Sequence, residues 1–396
     1  MSKTYFYNGA IILSDSQISN GYVLVDGTKI LDFGHGEIAV ESDTVKINLN
    51  GRYLSPGFID LHVHGGGGFD FMDATLEAFL GIANTHVQFG TTAMCPTSLT
   101  AELSGIYAVL DCYEEALKMN DTGAAFLGIH LEGPYLALSQ RGAQDPIYIR
   151  DPEPSEYMGI LSYSPHIIRW SAAPELPGAL KFADYLTENG VLPSLAHTDA
   201  IYEEVLEGFN HGFSLATHFY SAMSGITRKN AQRFAGTIEA GYLIDDMDVE
   251  IIGDGIHVPP PLLKLIYKIK GPDRIALVTD AMRAAAMPEG QSILGRASDG
   301  LPVIVEDGVA KLMDRSAFAG SVATADQLIR NYVRLGEVPL VEAIKMMSQT
   351  PARILNINHR KGKIEKGYDA DLVILNEDLF AELTMVMGDI KFQKYS

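Results

Sequence analysis

Two histidines one residue apart, His62 and His64, close the apolar run Pro56-Gly57-Phe58-Ile59-Asp60-Leu61 and lead into four glycines, Gly65 to Gly68. In a strand, residues i and i+2 project to the same side, so the pair can offer two imidazoles to one ion. Imidazole suits zinc, iron, nickel and similar ions. The glycines let the backbone turn sharply and approach a ligand closely. An isolated His-x-His reads equally well as two histidines satisfied by hydrogen bonds at a strand end. Here the pattern recurs, because Glu132, His197, His218 and Asp280 each stand at the end of a further apolar run. Singly, each has a plain alternative: a core histidine, or a carboxylate capping the next helix. Together they supply ligands for one or two divalent metals, with a carboxylate left to handle protons.

Those endings need a scaffold that brings them to one place. Between residues 56 and 352, short apolar runs alternate with longer amphipathic stretches, the pattern of repeated βα units. The runs that read as strands are 58–62, 91–95, 126–132, 167–172, 191–197, 213–218, 249–253 and 275–280, enough to close a (β/α)8 TIM-like barrel whose site lies at the C-terminal strand ends. Helices are predicted over 76–89, 102–119, 180–189, 202–209, 260–270, 325–335 and 341–349. Residues 283–318, with Asp299-Gly300 and Asp307-Gly308, read as an inserted hairpin above the last strand. Both chain ends read as strands: 5–13, 22–25 and 29–33 at one, and 363–364, 370–375 and 383–387 at the other. The expectation is an α/β protein with two domains: a small β-sandwich from residues 1–55 and 353–396, and the barrel from 56–352.

Length and composition set outer bounds. The chain has 396 residues, with 50 acidic and 30 basic, a formal charge of -20 that argues against nucleic acid or an anionic membrane as partner. An anionic substrate would then need a locally positive site. Cys95 and Cys112 are too few for a disulfide framework, no apolar stretch approaches membrane-spanning length, and the start Met1-Ser2-Lys3-Thr4-Tyr5 lacks the apolar core of a signal peptide. A cytoplasmic location is expected.

Several motifs carry a specific resemblance: Leu61-His62-Val63-His64-Gly65-Gly66, His130-Leu131-Glu132-Gly133-Pro134 with Gly142-Ala143-Gln144, Ala196-His197-Thr198-Asp199-Ala200, Ala216-Thr217-His218 with Ala222-Met223, Asp254-Gly255-Ile256-His257-Val258, and Val278-Thr279-Asp280-Ala281-Met282. In content and order they resemble the N-acetylglucosamine-6-phosphate deacetylases of the amidohydrolase superfamily, and the likeness extends into both terminal segments. The resemblance implies Glu132, His197 and His218 as principal metal ligands, His62 and His64 as ligands of a second metal, and Glu132 as the bridge. It implies Asp280 as the acid/base residue and as a further metal ligand. His257, Gln144 and the backbone around Ala143, Ser221, Ala222 and the stretch Phe318, Ala319, Gly320, Ser321 match substrate contacts. One or two divalent ions are implied, zinc first, with iron, nickel or manganese as alternatives. The substrate implied is a small amino sugar phosphate, and the assembly implied is a homodimer that lends a residue to the neighbouring phosphate site.

The chain also departs from the family. Where relatives have Tyr-Asn-Ala-Met it has Tyr220-Ser221-Ala222-Met223, and the region of the partner-reaching arginine reads Arg228-Lys229-Asn230-Ala231-Gln232-Arg233, with Arg228 the candidate. Strand four carries Trp170-Ser171-Ala172 and offers no bridging lysine. Cys95 is expected as a core thiol, His130 either faces the site alongside Glu132 or supports it from behind, and His35, His86, His166, His211 and His359 are expected to be surface or structural. The alternatives are a deacetylase of the galactosamine epimer, an amidohydrolase of N-acyl amino acids, and a non-catalytic barrel, which would be expected to have lost ligands.

Overall fold

The computed structural model describes residues 3–394, so the expected domain ends at 1 and 396 lie outside the described residues. Eight parallel strands form its centre: β1 (Phe58–Val63), β2 (Thr91–Pro96), β3 (Ile129–Glu132), β4 (Ile167–Ala172), β5 (Leu192–Leu195), β6 (Leu215–Ala216), β7 (Asp248–Ile252) and β8 (Ile275–Val278). Strands β3 to β8 make one sheet in chain order, and β1 and β2 make another with the short strand Ala125–Phe126. Hydrogen bonds close both seams. Asp280 N donates to His62 O (2.9 Å) and His64 N to Ala281 O (2.9 Å) between β8 and β1, while Ser98 N donates to His130 O (3.0 Å) between β2 and β3. The ring is consistent with the expected barrel.

Alternation along the strands explains what the ring contains. On β4, Trp170 and Ala172 face outward into the large core beneath the helices, whereas Arg169 and Ser171 face inward. On β7 and β8, Val249, Ile251, Ile275 and Leu277 face outward, and Ile252, Ala276 and Val278 join Ile59, Leu61, Ala93, Cys95 and Leu215 in an interior apolar cluster. Cys95 is therefore a buried core thiol, and burial pushes its pKa up, as its expected packing role requires.

The connecting helices are α1 (Leu76–His86), α2 (Leu103–Met119), α3 (Pro154–Tyr163), α4 (Ala179–Glu188), α5 (Tyr202–Asn210), α6 (Thr237–Leu243), α7 (Pro260–Lys270), α8 (Ala325–Arg334), α9 (Leu340–Met347) and α10 (Gln349–Ile354). Three of these differ from expectation. Helices α3 and α6 lie in stretches not expected to be helical, and α10 is separate because Ser348 leaves helical geometry (φ -136°, ψ -70°). The run 126–132 is two strands, since Gly128 (φ 145°) breaks it. The inserted segment is larger than a hairpin: Gly290–Leu294, Leu301–Glu306, Val309–Leu312 and Phe318–Ser321 form a four-stranded antiparallel sheet.

Both termini contribute to one eight-stranded sheet. Tyr53–Pro56 joins them, pairing with Leu372–Leu375 on one side and Thr4–Ile12 on the other. Its core is separate from that of the barrel and includes Phe6, Val23, Leu54, Leu372 and Met385. Lys363-Ile364, expected as a strand, is an unpaired bend, and Ile364 is buried in that core through its side chain alone.

A buried cation ties this sheet together. Lys361, 2% exposed, pairs with Asp371 and with Asp369 (3.1 Å), which also takes Lys29 (2.7 Å) and Arg360 (3.1 Å). Removing the ammonium strands buried carboxylate charge, so Lys361→Met should cost about 3 kcal/mol and lower the urea midpoint. Burial opposes the charge on Asp369, but Lys29, Lys361 and Arg360 outweigh it and hold its carboxyl below the ordinary range. Its stabilisation is present above the unfolded value of about 4 and is lost as pH falls through the lower folded value.

Candidate metal centre and active-site cavity

Strands β1, β3, β5, β6 and β8 each deliver one or two side chains to the same end of the ring. His62 and the following His64 come from β1, and Glu132 ends β3. His197, His218 and Asp280 stand just past β5, β6 and β8, where the backbone takes left-handed φ values of 46°, 33° and 46°. Non-glycine residues rarely adopt this conformation, which turns each side chain inward over the ring.

After β1 the chain must pass close to its neighbours. A Cβ on Gly65 would lie 2.3 Å from Phe69 O and 2.9 Å from Arg283 N, so the first glycine of the run is required by space. His86 from α1 is a fixed strut here, buried, with its Nε2 2.9 Å from Gly65 O.

Glu132 is the centre of the arrangement. Its Oε1 lies 3.0 Å from His218 Nε2, 3.4 Å from His197 Nε2 and 3.6 Å from His62 Nε2, and its Oε2 lies 3.5 Å from His64 Nε2. Asp280 Oδ1 sits 3.1 Å from His64 Nε2 and 3.5 Å from His62 Nε2. Two sets of ligand atoms are compact enough for an ion: His62, His64 and Glu132, and Glu132, His197 and His218, all buried. His62 Nε2 and His64 Nε2 face each other at 3.0 Å, where two lone pairs repel unless a proton or cation lies between them. This donor set fits one or two divalent metals sharing Glu132.

The electrostatics also call for positive charge. Burial opposes ionisation of Glu132, but His62, His197 and His218 outweigh it and hold the carboxyl well below the ordinary range. Burial likewise opposes the charge on Asp280, yet His62, His64 and His218 bring its carboxyl down to about 2. For His64, burial disfavours protonation while Asp280, Glu132 and Asp70 favour it, and the result is a rise to about 9.

Neighbouring side chains fix these groups. Gln144 Nε2 donates to Glu132 Oε2 (2.7 Å), while Gln144 Oε1 accepts from Thr100 N and Oγ1 (both 2.8 Å). Gln144, expected to touch substrate, thus uses both ends of its amide on protein. Of the two readings of His130, the structure has the supporting one, with Nε2 2.6 Å from Ser171 Oγ, Nδ1 3.3 Å from Thr97 Oγ1 and its ring edge-on to His62.

Above the metal-facing groups opens a cavity of about 570 Å³. Of the expected substrate contacts, Ala143, Gln144, Ser221, Ala222, His257, Phe318 and Gly320 line it. Ala319 and Ser321 do not, because strand alternation turns them inward: both are buried, and Ser321 Oγ donates to Thr279 O. His257 is held by Asp254 (Nδ1 to Oδ2, 2.6 Å) and packs on Phe318. Arg228 lies away from this cavity, exposed on the two-stranded hairpin Thr227–Lys229 and Gln232–Phe234. Sequence reasoning missed Tyr220 and Arg141, which also line the cavity, and Arg169 and Glu250 beneath the histidines.

A family model described as Amidohydrolase family matches residues 53–391. The chain belongs to the amidohydrolase family. Amidohydrolases are metal-dependent, in keeping with the two ligand sets. This amidohydrolase is 35% identical over 346 residues to an N-acetylglucosamine-6-phosphate deacetylase of Lysinibacillus sphaericus, covering 87% of each chain. It is 33% identical over 338 residues to an N-acetylgalactosamine-6-phosphate deacetylase of Escherichia coli O157:H7, covering 85% of this chain and 87% of that one. A mutant N-acetyl-D-glucosamine-6-phosphate deacetylase from Mycobacterium smegmatis, solved in complex with N-acetyl-D-glucosamine 6-phosphate, superposes with a TM-score of 0.91 at 29% identity, covering 99% of this chain and all of that one. The likeness read from the motifs thus holds along nearly the whole amidohydrolase chain.

Proposed function

We propose that this amidohydrolase removes the N-acetyl group of N-acetylglucosamine 6-phosphate, giving glucosamine 6-phosphate and acetate. The observation that carries this reading is Glu132 ringed by His62, His64, His197 and His218 with Asp280 beside them, on the floor of a cavity that His257 also lines.

Glu132, His197 and His218 would hold a principal ion, and His62 and His64, with Glu132, would hold a second. Zinc is the metal of choice for this imidazole-rich set. When bound, a divalent ion polarises an amide carbonyl and lowers the pKa of water. Asp280 is ionised at neutral pH, so its carboxylate accepts the proton of the attacking water and returns it to the departing amine. His257, kept in place by Asp254, is set to donate to the sugar phosphate, with the Ser221 hydroxyl and the Ala222 backbone beside it. In this reading the protein is a homodimer in which exposed Arg228 reaches the phosphate site of the neighbouring subunit.

The terminal sheet, with its separate core, supports a small β domain made, among the described residues, from 3–55 and 353–394, beside a catalytic domain of 56–352. Among the described residues, no helix is long and apolar enough to cross a membrane.

Acetate release from N-acetylglucosamine 6-phosphate, its galactosamine epimer and unphosphorylated N-acetylglucosamine, compared on one metal-replete preparation, tests the proposal. The phosphorylated gluco sugar should be preferred. The relative acting on the galacto epimer makes that substrate the second reading, which a reversed preference would establish. Turnover of neither phosphate would overturn both.

A further inference from the structure

Beneath the metal-facing residues the ring holds a charged pair where an aliphatic layer would be expected. Arg169 of β4 and Glu250 of β7 are both fully buried and meet in a two-pronged contact, Nη1 on Oε1 and Nη2 on Oε2, the latter at 3.0 Å. Arg169 is anchored further by Ser194 Oγ (2.9 Å), Thr217 Oγ1 (2.7 Å) and Leu61 O (3.2 Å). Desolvating both charges makes such a pair a poor source of stability. Its use lies in what Glu250 faces.

Glu250 Oε2 lies 3.5 Å from His62 Nδ1 and 3.4 Å from His218 N. His62 is fully buried and its Nδ1 makes no hydrogen bond among the described residues; the acceptor that faces it is this carboxylate, at 3.5 Å. Of the other charged or titratable groups around His62, Glu132, Asp280 and His64 lie on its Nε2 side, His130 and His218 pack against its ring, and Asp60 Oδ1 accepts from its backbone N (3.3 Å). A neutral imidazole carries one proton, and a carboxylate opposite Nδ1 keeps it there. The Nε2 lone pair then points between His64, Glu132 and Asp280, and the adjacent negative charge makes it a stronger donor.

We propose that Glu250, itself oriented by Arg169, is the positioning residue of His62 and thereby sets how tightly the His62/His64 half of the centre holds its own ion. The proposal rests on reading His62 and His64 as ligands of a second metal. Neither Arg169 nor Glu250 lines the cavity, so their effect on substrate is indirect.

The test is zinc titration with metal content per chain, alongside thermal melting, for the wild type, His62→Ala, Glu250→Gln and the double variant Arg169→Met/Glu250→Gln, which leaves no unpaired buried cation. The wild type should bind two ions and His62→Ala one. Glu250→Gln and the double variant should keep the first ion at wild-type affinity and bind the second about 10–100-fold more weakly, the range expected when such a supporting partner is lost. A merely structural role would lower the melting temperature of Glu250→Gln and leave both affinities unchanged in the double variant. That outcome, with His62→Ala at one ion, would overturn the role of Glu250. Equal metal content in the wild type and His62→Ala would instead overturn the ligand reading itself.

Discussion

Asp280→Asn should lower kcat by about 10²–10⁴-fold, the usual worth of a positioned acid/base group, while the protein keeps its metal. The substitution removes one property and little else. An asparagine occupies the same volume past β8 and retains an amide oxygen that can face His64, 3.1 Å away in the native arrangement. What it lacks is a carboxylate able to take and return a proton. Asp280 is ionised before that exchange, since His62, His64 and His218 hold its carboxyl below the ordinary range against the opposing effect of burial. Metal content and single-turnover acetate release, measured on the same preparation, check the prediction. Unchanged turnover would remove Asp280 from the chemistry. Loss of both metal and turnover would make it primarily a ligand.

Much of this centre is legible in the sequence because it is written in short-range pattern. His62-Val63-His64, Glu132 and the strand-end positions of His197, His218 and Asp280 follow from apolar runs and where they stop, and alternating strands and helices place those ends together. What escaped depends on long-range partners. Arg169 and Glu250 are 81 residues apart, and neither stands out until β4 and β7 are known to face each other across the ring. A signal was nonetheless present: Glu250 sits inside the apolar strand Asp248–Ile252, where a charge needs a buried partner. Gln144 was read from its motif as touching substrate, and only Thr100, reaching it from after β2, shows that its amide faces Glu132. The departures in fold have local causes: Gly128 breaks a predicted strand, and Ser348 breaks a predicted helix.

Glu132→Gln should abolish the principal metal and, with it, acetate release, although the side chain keeps its size. The argument turns on which way the new amide must point. Gln144 Nε2 donates to Glu132 Oε2 at 2.7 Å, and Gln144 cannot flip, because its Oε1 accepts from both Thr100 N and Thr100 Oγ1 at 2.8 Å. A glutamine at 132 therefore has to place its oxygen toward Gln144. Its NH2 group then occupies the Oε1 position, which in the native protein lies 3.0 Å from His218 Nε2, 3.4 Å from His197 Nε2 and 3.6 Å from His62 Nε2. An amide nitrogen offers a cation no lone pair and donates hydrogen bonds to the imidazole nitrogens that would otherwise ligate. The variant thus loses the bridging charge and masks His197 and His218 together. Zinc bound per chain after dialysis should fall from two to at most one weakly held ion at His62 and His64. Adding Gln144→Ala frees the amide at 132 to turn its oxygen back, so the double variant should recover part of the principal-site affinity. Recovery would tie the loss to orientation, whereas an equal loss in both variants would assign it to the missing charge alone. A Glu132→Gln protein with full metal content would show that Glu132 is no ligand.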